Sequence, residues 1–239
     1  MRRSEIAPVR DGPPDPSEGS TRATTARFDA RRNEVIDIAA SLFARNSYAA
    51  TSVAEISSAA RLGKGGLYHY IGSKEELLVE INARVMQPLM DVTERITRLT
   101  ASPAVRLRLV SEALLRLATD RADHIWVFLH EHRVLTGALL VDAKRRRRAF
   151  EDAVEGLFSE GVTAGEMQID DLRLTTLAFL GIHNSAYQWV RPDGRLTPEL
   201  ISATYFQIFL QGVARDGRAV EESRQQVAGF RHLLDDLIS

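Results

Sequence analysis

The stretch between residues 51 and 77 constrains the fold more than any other part of this chain. Two short segments with helical periodicity lie on either side of a tight turn at residues 61–63. The first helix is predicted to start directly after Ser52, because Ser52 and Glu55 form a capping box that satisfies two free N–H groups. The second helix is predicted from Lys64 to Tyr70. Two short helices around such a turn are typical of a helix-turn-helix, whose second helix enters the major groove of DNA.

An ordinary helical hairpin in a protein core is the alternative interpretation of this stretch. It would leave Lys64, Tyr68 and His69 exposed without a reason. It would also leave Gly65 and Gly66 unexplained, since a glycine inside a helix costs about 1 kcal/mol relative to alanine. Such a cost is tolerated where another molecule must approach the backbone closely, and a DNA phosphate backbone is such a molecule. The pattern therefore favours DNA binding.

The same stretch resembles the DNA-binding signature of TetR-type transcriptional regulators, and the similarity extends from about residue 27 to residue 80. The sequence departs from the family pattern at two positions. Gly63 stands where the family usually has a Ser or Thr helix cap, and Gly66 where it usually has Thr, Ser or a larger residue. The matching residues are Ala39, Leu42, Phe43 and Tyr48, followed by Thr51, Ser52, Val53, Ile56, Leu62, Lys64, Gly65, Leu67, Tyr68, His69, Tyr70 and Ser73–Leu77.

We expect this unit to make two kinds of contact with DNA. Lys64 is the candidate for contacting a base edge, with guanine acceptors as its natural partners. Few long side chains project from the second helix, so part of the specificity should come from DNA shape. Phosphate contacts are expected from Thr51, Ser52, Tyr68, His69 and Lys74. The full set of predicted DNA-binding residues is Arg31, Thr51, Ser52, Lys64, Gly65, Gly66, Tyr68, His69, Tyr70 and Lys74.

Composition limits the remaining classes of function. The chain has 239 residues and no cysteine, which excludes disulfides, thiolate zinc sites and cysteine nucleophiles and is typical of a reducing cytoplasm. No apolar run approaches the roughly 18 residues of a membrane span, and no apolar segment of a secretory signal follows the N-terminus. The net charge of −1 does not exclude DNA binding, because what matters is the charge on one face. We therefore expect a cytoplasmic protein without a membrane partner.

Apolar residues recur at three- and four-residue steps and no stretch alternates with a period of two, which predicts an all-α fold. A three-helix helix-turn-helix domain is predicted at residues 27–76, and a helical bundle for ligand binding and dimerisation at 77–239. Residues 1–26 are rich in Pro, Gly, Ser and Thr and are predicted to be a disordered arm, which either reaches DNA through Arg22 and Arg27 or makes no contact. Further helices are predicted over residues 28–45, 75–99, 104–119, 121–137, 138–160, 172–190, 198–214 and 221–238.

Pro88 lies inside the long helix predicted from residue 75 to residue 99. Proline is expected to kink this helix or else to divide it in two. Either way, the segment connects the DNA-binding domain to the bundle. A kinked helix could swing the two DNA-binding domains of a dimer away from the spacing of about 34 Å that successive major grooves require.

The second domain offers three groups of candidate functional residues. His130, Glu131 and His132 suggest a metal site, but residues two apart point to opposite sides of a helix, so no metal ligand is predicted. The five cations at 144–148 are predicted to form a solvated helix face, with a phosphate clamp for an anionic effector as the alternative. Helical faces predict an effector pocket lined by Trp126, Phe128, Glu131, Leu135, Phe150, Val154, Phe179, His183 and Tyr187.

Residues 181–197 resemble the C-terminal domain of a TetR branch that controls fatty-acid and steroid breakdown and senses acyl-CoA thioesters. The resemblance implies a homodimer whose four-helix interface is formed by the helices on both sides of this stretch. An internal core helix followed by a turn is the alternative, although symmetric DNA sites favour the dimer. The residues that carry the resemblance are Asn184, Tyr187, Trp189, Pro192, Gly194, Leu196 and Thr197.

Together these observations predict a ligand-responsive transcriptional regulator, interpreted as a repressor. It would bind palindromic operator DNA as a homodimer and be released by a small molecule such as an acyl-CoA thioester of lipid catabolism. A ligand-independent DNA-binding structural or adaptor protein is the alternative. No enzyme and no cofactor are expected, because the sequence contains no phosphate-binding loop, no nucleophile elbow and no metal-binding histidine pair at helical spacing.

Overall fold

The computed structural model describes residues 16–213 and 218–237, and these residues form helices joined by turns, with no β-strand among them. The predicted all-α fold is confirmed. The α-helices of the described residues are α1 (Pro16–Asn46), α2 (Val53–Ala59), α3 (Lys64–Tyr70), α4 (Lys74–Thr97), α5 (Pro103–Asp120), α6 (Ala122–His130), α7 (Gly137–Thr163), α8 (Leu172–His183), α9 (Pro198–Val213) and α10 (Arg218–Phe230). Short 3₁₀ helices follow at His132–Val134, Ala186–Gln188 and Arg231–Leu237.

Residues 27–76, called the head below, contain the predicted helix-turn-helix. The hydroxyl of Ser52 accepts a hydrogen bond from the Glu55 N–H at 3.1 Å, and the Glu55 carboxylate accepts one from the Ser52 N–H at 2.6 Å, so the predicted capping box is present. Ser73 caps α4 in the same way, accepting from the Glu76 N–H at 3.0 Å. The head packs around the buried side chains of Val35, Ile36, Ala39, Ala40, Phe43, Ile56, Ala60, Leu67 and Ile71.

Helix α1 is longer than predicted. It begins at Pro16 rather than at Phe28, so residues 16–26 are helical and the prediction of a disordered arm differs from the structure there. Proline suits the first turn of a helix, because the N–H that it lacks would have no helical partner in that position. The remainder of the predicted arm, residues 1–15, lies outside the described residues.

Helix α4 runs without a break from the head into the rest of the protein, so Pro88 does not divide it. Pro88 has no N–H and therefore leaves the carbonyl of Arg84 without its usual helical partner. The first half of α4 buries Leu77 in the core of the head, and the second half buries Leu89 in the larger core. A single helix thus belongs to both cores.

Helices α5 to α10 are called the body below. Within the body, α5 is surrounded by other helices and is buried along nearly its whole length. The carboxylate of Glu112 on α5 is fully buried and accepts hydrogen bonds from Arg231 at 2.9 and 3.1 Å and from Arg116 at 3.2 Å. These bonds pair a buried charge, which would otherwise be costly, and attach the C-terminal 3₁₀ helix to α5. No helix of the described residues is long and apolar enough to cross a membrane.

Candidate DNA interface and effector cavity

The outer face of α3 is the part of the head that is open to a DNA partner. Gly65, Gly66 and His69 are exposed, and 43 % of Tyr68 is exposed. A methyl group added at Gly65 would meet no atom within 4 Å, so packing inside the protein does not require glycine there. Lys64 opens the helix, but its side chain lies outside the described atoms. The result is a nearly bare helix surface that a large, rigid partner can approach closely.

Aromatic contacts hold α3 against α1. The ring of Phe28 stacks on Tyr70 at 5.1 Å between centroids and meets the edge of His69 at 5.3 Å. Tyr70 is half-buried in this contact, so the structure gives it a supporting position and leaves Tyr68 as the outward tyrosine. Ser52 is exposed beside α3, although its hydroxyl and N–H are used in the capping box.

Three residues that the sequence predicted as DNA contacts are engaged inside the protein instead. Thr51 is buried, and its hydroxyl donates to the carbonyl of Ser47 at 2.9 Å. The ammonium of Lys74 donates to the carbonyl of Tyr48 and lies 4.0 Å from the centre of its ring. Arg31 donates to the carbonyl at the end of α2 and pairs with a glutamate of its own helix. The carbonyls that bind Lys74 and Arg31 come from distant parts of the chain, whereas Ser47 lies within about one turn of Thr51.

Arg61 belongs to the cations that the sequence places in this unit, but it is not among the predicted DNA-binding residues. It is exposed in the turn before α3 and has a φ of 51°, the left-handed conformation that non-glycine residues rarely adopt. No hydrogen bond or ion pair is formed by its side chain within the described residues, whereas Arg31, Arg32 and Arg84 of the same region are all paired. A strained, unpaired cation beside the open face of α3 is available to a phosphate.

An apolar cavity of about 150 Å³ lies in the body between α4, α5, α6, α7 and α8. Its inner wall is formed by buried residues such as Val85 and Phe150, while the half-buried Asn184 and Arg147 stand on its polar side. This composition is typical of a small-molecule site, in which an apolar surface is combined with a few polar groups. The lining residues are Val85, Met86, Leu89, Leu114, Ile125, Phe128, Leu129, Arg147, Phe150, Glu151, Leu177, Leu180 and Asn184.

A larger and more open cleft, of about 1040 Å³, lies between α1, α4 and the start of α6. Its walls carry charges of both signs, and Asp37 pairs there with Arg84 at 2.7 Å and lies 3.2 Å from the imidazole of His124. Burial alone would raise the pKa of Asp37, but His124 and Arg84 hold it below its usual value. The smaller cavity is more apolar and more enclosed than this cleft, and these are the properties that a small organic ligand requires.

The predicted pocket residues are divided between several environments. Phe128 and Phe150 line the cavity. Val154 and Phe179 are buried in the core of the body, and Trp126 and Leu135 pack on the core of the head. Helical faces alone could not distinguish these environments. The hydroxyl of Tyr187 lies 3.5 Å from the imidazole of His130, and the carboxylate of Glu131 is bonded to the head.

His183, a predicted pocket residue, is buried in the body and is bonded through both ring nitrogens. Its Nδ1 donates to the carbonyl of Phe179 at 2.6 Å, so its Nε2 accepts from the hydroxyl of Ser111, also at 2.6 Å. Burial lowers the pKa of His183 to about 4, which keeps the ring neutral. Both ring nitrogens are therefore satisfied, and no group remains for an effector.

The remaining polar clusters of the body have local partners. Arg145 and Arg146 pair with Asp142, and Arg148 pairs with Asp152, as expected for a solvated helix face. The ring of His130 stacks on Trp126 at 4.7 Å, so it takes part in packing. No group of three or more acidic, histidine or cysteine side chains that could hold a metal ion occurs within residues 16–213 and 218–237.

Helices α8 and α9 expose large apolar side chains. Leu174, in the first turn of α8, is 64 % exposed, and Ile208, in the middle of α9, is 66 % exposed. Four further apolar residues are exposed on α8, on α9 or between them, namely Leu177, Ile182, Trp189 and Leu200. Isolated exposed apolar residues are common, but several on two consecutive helices mark an interaction surface.

Comparison with known proteins bears on both parts of the chain. Residues 35–81 match the family described as bacterial regulatory proteins, tetR family, and residues 100–213 match the tetracyclin repressor-like C-terminal domain. The chain belongs to the TetR family. Membership of the TetR family makes it a helix-turn-helix transcriptional regulator, which confirms the prediction from residues 51–77.

Several TetR-family proteins are similar over most of their length. The crystal structure of AibR in complex with isovaleryl coenzyme A and operator DNA has a TM-score of 0.66 at 33 % identity and covers 74 % of this chain and 97 % of AibR. The structure of the ketosteroid transcriptional regulator KstR2 of Mycobacterium tuberculosis has a TM-score of 0.73 at 25 % identity, covering 78 % of this chain and 96 % of KstR2. The HTH-type transcriptional repressor KstR2 of Rhodococcus jostii is 29 % identical over 199 residues, which are 80 % of this chain and 94 % of that protein.

Proposed function

We propose that this TetR-family protein is a transcriptional repressor that binds palindromic operator DNA as a homodimer and leaves it when a short-chain acyl-CoA thioester occupies the cavity. The observation that supports this most directly is the position of the cavity. Its walls include α4 and α6, and both helices also pack into the core of the head. A molecule in the cavity therefore touches the elements that orient the DNA-binding surface.

The proposed DNA contacts come from the open face of the head. Ser52, Tyr68 and His69 offer polar groups to phosphates, and Lys64 is the proposed base contact. Arg61 is added to this set because it is exposed and unpaired among the described residues. Gly65 and Gly66 let the backbone of α3 come close to the groove. Thr51, Lys74, Arg31 and Tyr70 are proposed to shape this face from inside rather than to touch DNA.

The proposed dimer forms through α8 and α9. Their exposed apolar residues would be covered when the same surface of a second copy packs against them, as in an isologous interface. Two heads related by two-fold symmetry match a palindromic site whose halves lie about 34 Å apart. We also propose the division into a DNA-binding domain at residues 27–76 and a ligand-binding and dimerisation domain at residues 77–239. Helix α4 is shared between the two.

The volume of the cavity favours a short acyl group. An engineered apolar cavity of about 150 Å³ in another protein binds benzene, a molecule of six carbons. The cavity in this chain has about the same volume and an apolar inner wall. A branched acyl group of about four to six carbons matches this space, whereas a fused system of four rings is larger than this space. Among the similar proteins, AibR was crystallised with isovaleryl coenzyme A, whose acyl group has this size.

The release mechanism is a shift between two states of the dimer. Helix α4 contributes Val85, Met86 and Leu89 to the cavity and Leu77 to the core of the head. An acyl group that enters the cavity would displace these side chains and rotate α4. The effector shifts the equilibrium only by the difference between its affinities for the DNA-bound and the released orientation of the heads.

Two measurements test this function. The purified protein would first be used to select duplexes from a random library, and its affinity for the selected operator would be measured with and without acyl-CoA thioesters of two to sixteen carbons. The largest loss of operator affinity is expected near isovaleryl-CoA, with free coenzyme A and isovalerate as controls. In a thermal melt, a thioester at one hundred times its dissociation constant stabilises the protein by about 2.7 kcal/mol.

A cavity-filling variant gives a matched control for the site. Leu114→Phe places extra volume beside the cavity, whereas Leu99→Phe changes a residue that packs on the same core outside the cavity. Leu114→Phe is expected to abolish the response to isovaleryl-CoA while operator binding remains, and Leu99→Phe is expected to keep both. Operator binding without any response to thioesters would instead favour the ligand-independent DNA-binding protein.

A further inference from the structure

The backbone N–H and the backbone carbonyl of Tyr48 are bonded to side chains from different domains. Its N–H donates to the carboxylate of Glu131 at 2.9 Å, and its carbonyl accepts from the ammonium of Lys74. The ring of Tyr48 lies beneath the same ammonium at 4.0 Å and against Phe43 at 5.1 Å between centroids. Tyr48 belongs to the loop between α1 and α2, and Lys74 is the first residue of α4. Glu131 is the residue of the body in this cluster, and it follows the last residue of α6 directly.

Helix α6 connects this cluster to the cavity. Ile125, Phe128 and Leu129 of α6 line the cavity, while Val127 is buried in the core of the head. Glu131 follows Phe128 by three residues, so it lies about one helical turn further along the same helix. The helix ends at His130 and gives way to the 3₁₀ helix His132–Val134, so its end carries the carboxylate directly onto the loop of the head.

We propose that Glu131 is a positioning residue for operator binding, and that an effector in the cavity acts by withdrawing its carboxylate from the N–H of Tyr48. While the bond is present, the loop between α1 and α2 and the start of α4 stay in one orientation relative to the body. An acyl group against Phe128 displaces α6 and breaks this attachment. The proposal rests on the function proposed above, but it assigns the transmission of the signal to a single contact.

The geometry also explains why this position uses a carboxylate. An ionised acceptor forms a stronger hydrogen bond with an N–H group than a neutral acceptor does. The N–H of Tyr48 donates to such an acceptor, while the carbonyl of the same residue is bonded to the half-buried ammonium of Lys74. The bond joins residues 83 positions apart in sequence, so it forms only when head and body are in the correct relative orientation. The loss of a hydrogen bond to a charged group changes an equilibrium by about tenfold to a hundredfold.

Three variants test the assignment in the full-length dimer. Glu131→Ala removes the acceptor and is expected to weaken operator binding about tenfold or more in the absence of effector. Glu131→Gln keeps an oxygen acceptor of similar size but loses the charge, so its operator affinity is expected to lie between those of the wild type and Glu131→Ala. Asp152→Ala removes an exposed carboxylate of α7 that pairs with Arg148, and it serves as the control with unchanged affinity.

The distance between the two heads gives a readout that a loss of folding alone would not produce. The chain contains no cysteine, so Ser58→Cys, at an exposed position of α2, can carry a single spin label in each protomer. Wild-type protein without effector is expected to give one narrow distance distribution. Glu131→Ala is expected to broaden it, and isovaleryl-CoA is expected to broaden it in the wild type but to change the variant much less.

The outcomes separate the two proposals. If the wild type binds its operator and Glu131→Ala has the same affinity and the same distance distribution, the assignment of Glu131 is wrong and the proposed function stands. A Glu131→Gln variant as weak as Glu131→Ala would overturn the hydrogen bond as the cause. A Glu131→Ala protein that binds operator weakly but keeps the full response to isovaleryl-CoA would overturn the transmission step. A wild type without operator binding would overturn the proposed function instead.

Discussion

The face of α3 and the face of α8 and α9 are both exposed, and they differ in polarity and in the size of their side chains. The face of α3 is polar and nearly without side chains at Gly65 and Gly66, and it has an unpaired cation beside it at Arg61. The face of α8 and α9 is apolar and carries large side chains such as Leu174 and Ile208. The first is suited to a charged polymer with a rigid shape, and the second to another copy of itself. The polar open surface and the apolar open surface thus lie on different domains, so the proposed electrostatic contact with DNA is separated from the proposed hydrophobic contact between protomers.

Raising the salt concentration is expected to have the largest effect. It should weaken the binding of DNA at α3 and leave the contact between protomers unchanged. A regulator that neutralises six to ten phosphates loses about 10³- to 10⁵-fold in DNA affinity between about 50 and 200 mM salt, because condensed counterions are released on binding. Burial of apolar surface is not screened in this way, so the dimer should persist over the same range. Fluorescence anisotropy with operator DNA and sedimentation equilibrium in the same buffers measure the two effects. Parallel loss of the dimer would show that the two surfaces are not distinct in kind.

Charge on the apolar surface is expected to separate the protomers. Leu174→Glu combined with Ile208→Glu would place like charges against each other in the proposed interface, and buried unpaired charges are costly. We expect a monomer in light scattering and at least about a hundredfold weaker operator binding, because each head then binds alone. Val141→Glu provides the control, since Val141 is 67 % exposed on α7, away from that surface. A dimeric double variant would place the interface elsewhere.

Truncation of the outward residues of α3 is expected to reduce DNA affinity without changing the dimer. Lys64→Ala and Tyr68→Ala should each weaken operator binding about tenfold to a hundredfold, which corresponds to the loss of one base or phosphate contact. Circular dichroism and light scattering check that the fold and the dimer remain. Lys144→Ala removes an exposed cation of the body and serves as the matched control. Unchanged affinity in both variants of the head would contradict the proposed docking.

Arg61→Gly is expected to have the smallest effect on operator affinity. It should lower this affinity without lowering the free energy of unfolding. Glycine relieves the left-handed conformation at φ 51°, so the free energy of unfolding should stay the same or rise by up to about 1 kcal/mol. Operator affinity should fall by about tenfold, and the slope of log affinity against log salt should decrease by about 1. Thermal melts and salt titrations of the same preparation give both values. A lower stability together with unchanged affinity would assign Arg61 to the fold rather than to DNA.

The head could be predicted closely because its signals are local. The helices α2 and α3 begin where the sequence places them, since the bond between Ser52 and Glu55 joins residues three positions apart. A distant partner inside the head is not visible in the same way. Lys74 is predicted from the sequence to contact DNA, but after folding its ammonium donates to the carbonyl of Tyr48, 26 positions away.

The effector site could be predicted only in outline. The stripe of apolar residues on α4 and the buried character of α6 were visible in the sequence, and two of the predicted pocket residues, Phe128 and Phe150, line the cavity. Other residues with the same periodicity occupy the core of the head, as Leu135 does, or the core of the body, as Phe179 does. Periodicity states which side of a helix is buried, but it does not state which neighbour covers that side.

The amino-acid sequence by itself determined the helical class, the starts of the two helices around the turn at residues 61–63 and the family, because capping and periodicity act over three or four residues. Only the tertiary structure decided where the cavity lies and that Glu131 leaves the pocket for the loop of the head. That contact joins residues 83 positions apart, and no local rule specifies a contact between positions so distant. It exists because α6 packs between two cores, which is a property of the assembled fold.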